Sequence, residues 1–395
     1  MSFRVFMLIA LSTLLLAFCK QDHAMSPGPG DAKAQQVRVR FDALPVEVKA
    51  PENNPTSPSK VELGRLLFFD PILSGNRDVA CATCHHPSSG YAESLEISIG
   101  VNGHGFGASR AFRQPNDIPF TKRNSPTVLN TAYNGMDIYQ DYEPDVAPMF
   151  WDLRKNSLEG QALEPIKALE EMRGRYYTEE EILNVVIDRL KENETYQKLF
   201  RAAFKGGEAI TEENLAKALA AFERTLVTNQ SRFDKYMRGD KGALSLSEIE
   251  GFEAFKEAGC GNCHNGPMFS DFKVHVLGTA PSTKLPETDR GFEDRFAFRT
   301  PTLRNLRFTF PYMHNGSISS LKKVLEFYED VGNGKSRHPD VSEADLDPLV
   351  QELDVDVGNM DQIVNFLHCL NDENFDRSIP ESVPSGLAVG GDIKQ

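Results

Sequence analysis

Two short runs carry the densest chemistry in the chain: Cys81-Ala82-Thr83-Cys84-His85 and Cys260-Gly261-Asn262-Cys263-His264. Each sets two thiols three positions apart and puts an imidazole beside the second. Thiols at that spacing can add to the two vinyl groups of one haem, and the adjacent histidine then reaches the iron from the same face. Zinc is the competing occupant. Each run, however, clusters its three ligands within five residues, and no second Cys/His pair stands at finger spacing. The spacing therefore points to two covalently bound haem c groups, with His85 and His264 as proximal iron ligands.

The remaining cysteines are Cys19 and Cys369. Cys369 shares an apolar helical pattern with Ile363, Leu367 and Leu370, which predicts a buried thiol rather than a disulfide partner. Cys19 closes a different feature. Residues 1–18 place Arg4 before an apolar run from Val5 to Phe18, too short for a comfortable membrane span and suited to an export signal. Leu16-Ala17-Phe18-Cys19 resembles a lipoprotein processing site, although Phe before the cysteine is unusual there. Plain cleavage nearby and lipidation of Cys19 both stay open. Either way the expected compartment is the periplasm, where haem c is attached.

The net charge of −14 argues against a nucleic-acid partner, which would require clustered Lys and Arg. A chain of 395 residues has room for two ordinary cores. Residues 26–58 hold six prolines and read as a linker or an extended strap. From about residue 378 the chain is rich in Ser, Gly and Pro, which predicts a flexible tail.

Between these ends the pattern is helical. Thr178 and Glu181 form a capping box ahead of Ile182, Val185, Val186 and Leu190. Leu215, Leu219, Phe222 and Leu226 mark another amphipathic helix. Ser247 with Glu250 predicts the start of a third, bearing Ile249, Phe252 and Phe255. Segments 99–126 and 270–300 are long connections, of a length expected when loops wrap something. A helix also leads into each cysteine motif, with Leu63, Leu66, Leu67 and Phe68 preceding the first, which suggests a duplicated domain. The expected fold is mainly α: two cytochrome c-like domains, 59–240 and 241–378, each around one haem with long wrapping loops, preceded by a linker over 19–58 and followed by a tail over 379–395.

Six further segments carry a resemblance. Arg123-Asn124-Ser125-Pro126-Thr127, Phe150-Trp151-Asp152-Leu153-Arg154, Ser157-Leu158-Glu159-Gly160-Gln161, Glu170-Glu171-Met172, Thr300-Pro301-Thr302-Leu303-Arg304-Asn305 and Pro311-Tyr312-Met313-His314-Asn315-Gly316 occur in this order. Together with the cysteine motifs they resemble the bacterial di-haem cytochrome c peroxidase superfamily, which includes the MauG-type enzymes. The resemblance runs from about Val61 to Leu370. It implies that Glu171 is the acid/base for peroxide cleavage, that Gln161 lines the same distal pocket, and that Trp151 lies between the haems and serves electron transfer. It also implies a calcium ion at Asn124, Thr309 and Pro311, an all-oxygen set suited to a hard cation. Taken alone, Glu171 would be a solvated side chain and Trp151 a core aromatic.

Two positions depart from the common peroxidase pattern. Where many members place a second histidine ligand on the N-terminal haem, after Ser98-Ile99-Gly100, this chain has Val101, which cannot bind iron. His104 stands three residues on, either as a ligand that swings in or as a loop or distal-pocket histidine. Fourteen residues after His314, where the usual peroxidases have Met, this chain has Tyr328. MauG-type enzymes carry Tyr there as an axial ligand; Met313 and His314 are the fallbacks. An anionic oxygen ligand lowers a haem potential, whereas a thioether raises it.

Three functions remain open on these grounds. One is a peroxidase that reduces hydrogen peroxide with electrons from a small cytochrome c or cupredoxin. Another is a MauG-like oxidase that withdraws electrons from Trp or Tyr of a partner protein. The third is a two-haem electron carrier with no open iron. A homodimer is compatible with each.

Overall fold

A computed structural model describes residues 39–137, 140–391 and 393. The expected export signal, Cys19 and the first part of the linker lie outside the described residues.

The chain folds mainly as helices: α1 Pro58–Phe69, α2 Cys81–Cys84, α3 Leu158–Gln161, α4 Glu164–Lys167, α5 Glu179–Glu192, α6 Glu194–Ala203, α7 Glu212–Glu223, α8 Arg232–Met237, α9 Leu246–Glu257, α10 Leu321–Gly332 and α11 Val357–Leu367. Sheet is limited among the described residues to three antiparallel two-stranded ribbons: β1 Gly103–His104 with β2 Ala111–Phe112, β3 Pro148–Met149 with β4 Lys155–Asn156, and β5 Val274–Val276 with β6 Ala297–Arg299. No helix among them is long and apolar enough to cross a membrane.

Two helix pairs anchor two cores. Helix α1 packs on α7, burying Leu63, Leu67, Phe68, Leu219 and Phe222. Helix α9 packs on α11, burying Phe252, Phe255, Ile363 and Phe366. The two contacts share one device. A Cβ at Gly64 would lie 1.9 Å from the Ala218 carbonyl oxygen, and one at Gly251 would lie 2.2 Å from that of Gln362. Only glycine lets the backbones approach so closely. In both halves this packed helix leads into a Cys-x-x-Cys-His turn.

The capping box at Thr178 is present: its amide donates to the Glu181 carboxylate at 2.9 Å. The third helix starts two residues earlier than expected. Its cap is Ser245, whose amide donates to Glu248 at 2.8 Å, and not Ser247 with Glu250. Glu248 wins because it also pairs with Arg232 of α8, a contact that no local pattern reveals. Leu226 lies beyond the end of α7, though still buried.

The terminal stretches are tied down. Residues 39–57 form a strap: Phe41 enters the second core beside Phe252, and the Leu44 amide donates to Asp234 at 2.9 Å. The stretch after 378, expected to be a flexible tail, instead returns to the first core. Val383, Val389 and Ile393 are buried there, the Ser385 amide donates to buried Asp70 at 3.1 Å, and the Thr83 hydroxyl donates to the Gly390 carbonyl at 2.8 Å. Its three apolar anchors are too widely spaced to show as a periodic pattern. Arg304 and Asp234, 1% and 0% exposed, form a two-pronged ion pair at 2.9 Å that fixes the Thr300–Asn305 segment to α8.

Candidate active site

A cavity of about 1240 Å³ reaches from one cysteine motif to the other. It exceeds the roughly 300–1,000 Å³ of a pocket for one drug-sized ligand. Cys81, Cys84 and His85 line it on one side, and Cys260, Cys263 and His264 on the other. All four thiols are unbridged. Each histidine is aimed by its own loop: His85 Nδ1–H donates to the Tyr91 carbonyl at 3.1 Å, and His264 Nδ1–H donates to the Phe269 carbonyl at 2.9 Å. That bond fixes the tautomer and leaves Nε2 as the ligand atom, with the Ser125 hydroxyl 3.4 Å from Nε2 of His85. Free thiol pairs, oriented imidazoles and a shared cavity fit two covalently held haems.

Glu171 also lines this cavity. It sits in a π-helical turn, Leu169–Arg173, a form often found at functional sites. The turn is clamped against the loop after the first motif, where the Val101 amide donates to the Glu171 carbonyl at 3.1 Å. A Cβ at Gly100 would lie 2.2 Å from the carbonyl oxygens of both Glu170 and Glu171, so this crossing needs glycine. Burial, reinforced by the neighbouring Glu170 carboxylate, pushes the Glu171 carboxyl up to about 7. Gln161, at the end of α3, lines the same space. Trp151 lines it too, 8% exposed, with its indole N–H donating to the Asn124 carbonyl at 3.1 Å.

The expected second ligands separate clearly. Val101 is fully buried. His104 pairs with Ala111 in the β1–β2 ribbon, is exposed, and does not line the cavity. Tyr328 on α10 does line it, as do Met313 and His314. Burial, then the nearby Cys263 and Cys260, raise the Tyr328 hydroxyl above its ordinary range. His314 lies flat on Phe298, ring centres 3.6 Å apart, and burial pushes it down to about 3.

Asn124, Thr309 and Pro311 all border the cavity. Asn124 Nδ2 donates to the Leu95 carbonyl at 2.8 Å, which turns Oδ1 the other way as a free acceptor. An amide oxygen with backbone carbonyls is a donor set that a hard cation accepts.

Several charged groups at or beside the cavity were given no role by the sequence. Arg123 bridges Asp152 at 2.7 Å and Asp289 at 2.5 Å. His275 lies between Asp271 at 3.1 Å and Asp347 at 2.8 Å. Burial opposes its charge, but the two carboxylates, and after them the free Cys263 thiol, outweigh it and raise His275 to about 12. The Cys263 thiol lies close to this His275–Asp271 pair. Glu93 and Glu223 are buried carboxyls beside the first motif. Arg123 and Asp152 stand in the segments that carry the resemblance, without a role assigned to them there, and Asp271 follows His264 much as Glu93 follows His85.

Residues 58–242 match the family model described as di-haem cytochrome c peroxidase. The chain is 37% identical over 305 residues to methylamine utilization protein MauG of Methylorubrum extorquens, covering 75% of each chain. It is 32% identical over 375 residues to cytochrome c551 peroxidase of Pseudomonas aeruginosa, covering 92% of each. The chain belongs to the di-haem cytochrome c peroxidase family. It is accordingly a haem peroxidase, an oxidoreductase, and the family implies haem c as its cofactor. Among solved structures, the fold is similar to that of a MauG-like protein associated with microbial copper homeostasis, with a TM-score of 0.66 and 24% identity over 84% of this chain and 94% of that one. The diheme peroxidase BthA of Burkholderia thailandensis matches with a TM-score of 0.62 and 19% identity over 89% and 98%.

Proposed function

We propose that the enzyme cleaves hydrogen peroxide beside His85, with Glu171 as the acid/base and electrons arriving through the C-terminal haem from a small cytochrome c or cupredoxin. The observation that carries this reading is the Glu171 carboxyl, raised to about 7, on the wall of the cavity that His85 also lines. Peroxide cleavage needs one group that takes a proton from one oxygen and returns it to the other. A carboxyl poised near neutrality does both. Haem, when bound, supplies the electrons for the O–O bond. Gln161 offers an amide to orient peroxide against Glu171. Trp151, held by Asn124, lies on the route between the two halves. A haem held by His85 would find no second ligand at Val101, and the exposed position of His104 outside the cavity lining supports an open site there. Within this reading the domains are 59–240, peroxidatic, and 241–378, for electron entry, with calcium at Asn124, Thr309 and Pro311. The export signal read over residues 1–18 supports a periplasmic location, with Cys19 as the residue that a lipid anchor would use.

A second reading has its own support. Val101 and Tyr328 are the two departures from the common peroxidase pattern, the second being the residue that MauG-type enzymes carry at that point, and they favour oxidation of Trp or Tyr in a partner protein. Resting-state EPR tests both readings against a passive carrier: a high-spin ferric signal is expected, and two low-spin signals alone would refute an open iron. Steady-state peroxide consumption with reduced cytochrome c separates the first two, since brisk turnover counts against the protein oxidase.

A further inference from the structure

The two halves repeat more than the cysteine motif. In each, a carbonyl holds the proximal histidine, and an acid follows two residues later: Glu93 after Tyr91, and Asp271 after Phe269. Both acids lie near the second cysteine of their motif. Cys84 is among the groups acting on Glu93, and the Asp271 amide donates to the Cys263 carbonyl at 2.8 Å. The second acid has a cation, because His275 bonds it at 3.1 Å. The first has none in contact.

Glu93 is 2% exposed, and neither carboxyl oxygen is engaged in a well-formed hydrogen bond among the described residues, although the Ser98 hydroxyl and the Cys84 thiol stand close enough to act on it. Three groups act on it: the Ser98 hydroxyl, the Cys84 thiol and Arg110. Arg110 works only through space, since its guanidinium is spent on the carbonyls of Ile99, Gly100 and Gly105. Cys84 ceases to be a donor once its sulfur is joined to haem. An ionised carboxylate left there would be buried and uncompensated, so it keeps its proton until positive charge appears nearby. Burial accordingly moves Glu93 up to about 7, whereas His275 holds Asp271 below its ordinary range against the opposing effect of burial.

We propose that Glu93 is a proton store for the N-terminal haem: it keeps a proton while the iron is reduced and releases it when the iron is oxidised. With haem bound, one electron would leave the iron for a redox mediator. The O–H bond of the Glu93 carboxyl breaks, and the proton passes the Ser98 hydroxyl, which lines the cavity, to water. Re-reduction reverses both movements. Glu93 would act on the haem through its neighbour Cys84 rather than on peroxide, so it is a positioning residue and not a catalytic one. The proposal rests on the haem-attachment reading of Cys81 to His85.

The test is a redox-difference infrared spectrum of the di-haem protein at pH 7, reading the carbonyl stretch of a protonated carboxylic acid. One such band should vanish on oxidation of the N-terminal haem. It should be missing from Glu93→Gln and retained in Glu171→Gln and Glu223→Gln, the other raised carboxyls at this haem. The same band surviving in Glu93→Gln, or absent from wild type, overturns the proposal. If Glu93→Gln does not fold, Glu93→Asp keeps the acid and should shift the band; an unmoved band is equally fatal. In a spectroelectrochemical titration, Glu93→Gln should also lose part of the pH dependence of the haem redox equilibrium, which for one linked proton approaches tenfold per pH unit. The alkaline pyridine haem spectrum of the same samples counts haems per chain. Fewer than two would overturn the attachment reading itself, a failure distinct from that of the infrared band.

Discussion

The indole N–H of Trp151 donates to the backbone carbonyl of Asn124 at 3.1 Å, while the Asn124 amide donates to the His314 carbonyl at 2.8 Å. One residue thus ties the tryptophan to a loop that belongs to the other half of the chain. Trp151→Phe keeps an aromatic ring but leaves the buried Asn124 carbonyl without its donor, a loss of about 1–3 kcal/mol. Both haems should still be incorporated. Stopped-flow mixing with a reduced donor should then show slower electron delivery to the N-terminal haem. Unchanged delivery would make Trp151 a packing residue only.

Glu171→Gln should retain both haems while slowing peroxide cleavage by about 10²- to 10⁴-fold. The pH profile is the sharper readout. Glu171 must be ionised to take the first proton, so the wild-type rate should rise with pH through about 7 and level off above it. The glutamine variant should lack that rise. A wild-type rate flat from pH 5 to 9 would remove Glu171 from the proton transfer.

The legible part of this protein was what chemistry writes locally. Two thiols and an imidazole must be adjacent to hold haem, so the sequence displays both motifs in full. Helix faces and the Thr178 cap are local too. Groups that meet only through the fold stayed hidden: His275 depends on Asp347, 72 positions away, and the bare environment of Glu93 depends on Arg110 being engaged elsewhere. The error at α9 has the same origin. Ser245 with Glu248 and Ser247 with Glu250 both fit a capping pattern, and distant Arg232 decides between them. Glu171 is intermediate. Its type and offset from Trp151 matched a family, but its chemistry comes from a π turn pressed against Gly100.

Arg304→Leu should unfold the protein far more readily than a surface change. Removing one partner leaves Asp234 charged and buried, although the hydroxyl of Ser231 and the amides of Ser231 and Leu44 still donate to it. The cost of breaking a buried pair is about 3–5 kcal/mol. Chemical denaturation of the haem-loaded protein should show it as a lower midpoint at unchanged slope. Replacing both partners together with apolar residues should recover part of the loss, and a double variant as unstable as the single one would contradict this account.

Tyr328→Phe and Tyr328→Met should both raise the potential of the C-terminal haem. The first keeps the ring packed edge-on against Phe327, centres 5.5 Å apart, and removes only the oxygen. Burial favours the protonated hydroxyl, so ligation to iron requires that proton to leave. A potential unmoved in the Phe variant would assign Tyr328 to packing.

The His275 ion triad gives stability its own pH signature. The folded-state value, about 12, lies above the ordinary histidine value, so the native state binds the proton more tightly than the unfolded chain. The resulting stabilisation is fully present below about pH 6.5. Between about 6.5 and 12 the unfolded chain has lost this proton and the folded one keeps it, so the contribution falls as pH rises. The carboxylates work in the opposite direction: Asp271 and Asp347 are both held below their ordinary range, and their contribution is lost in acid. His275→Gln should therefore cost most near pH 6, where the imidazolium and both carboxylates are charged, and progressively less towards pH 10. Denaturation midpoints of wild type and variant at pH 6, 8 and 10 measure the difference, and a gap that stays constant would show that His275 is held as a neutral ring and that its two carboxylates are balanced elsewhere.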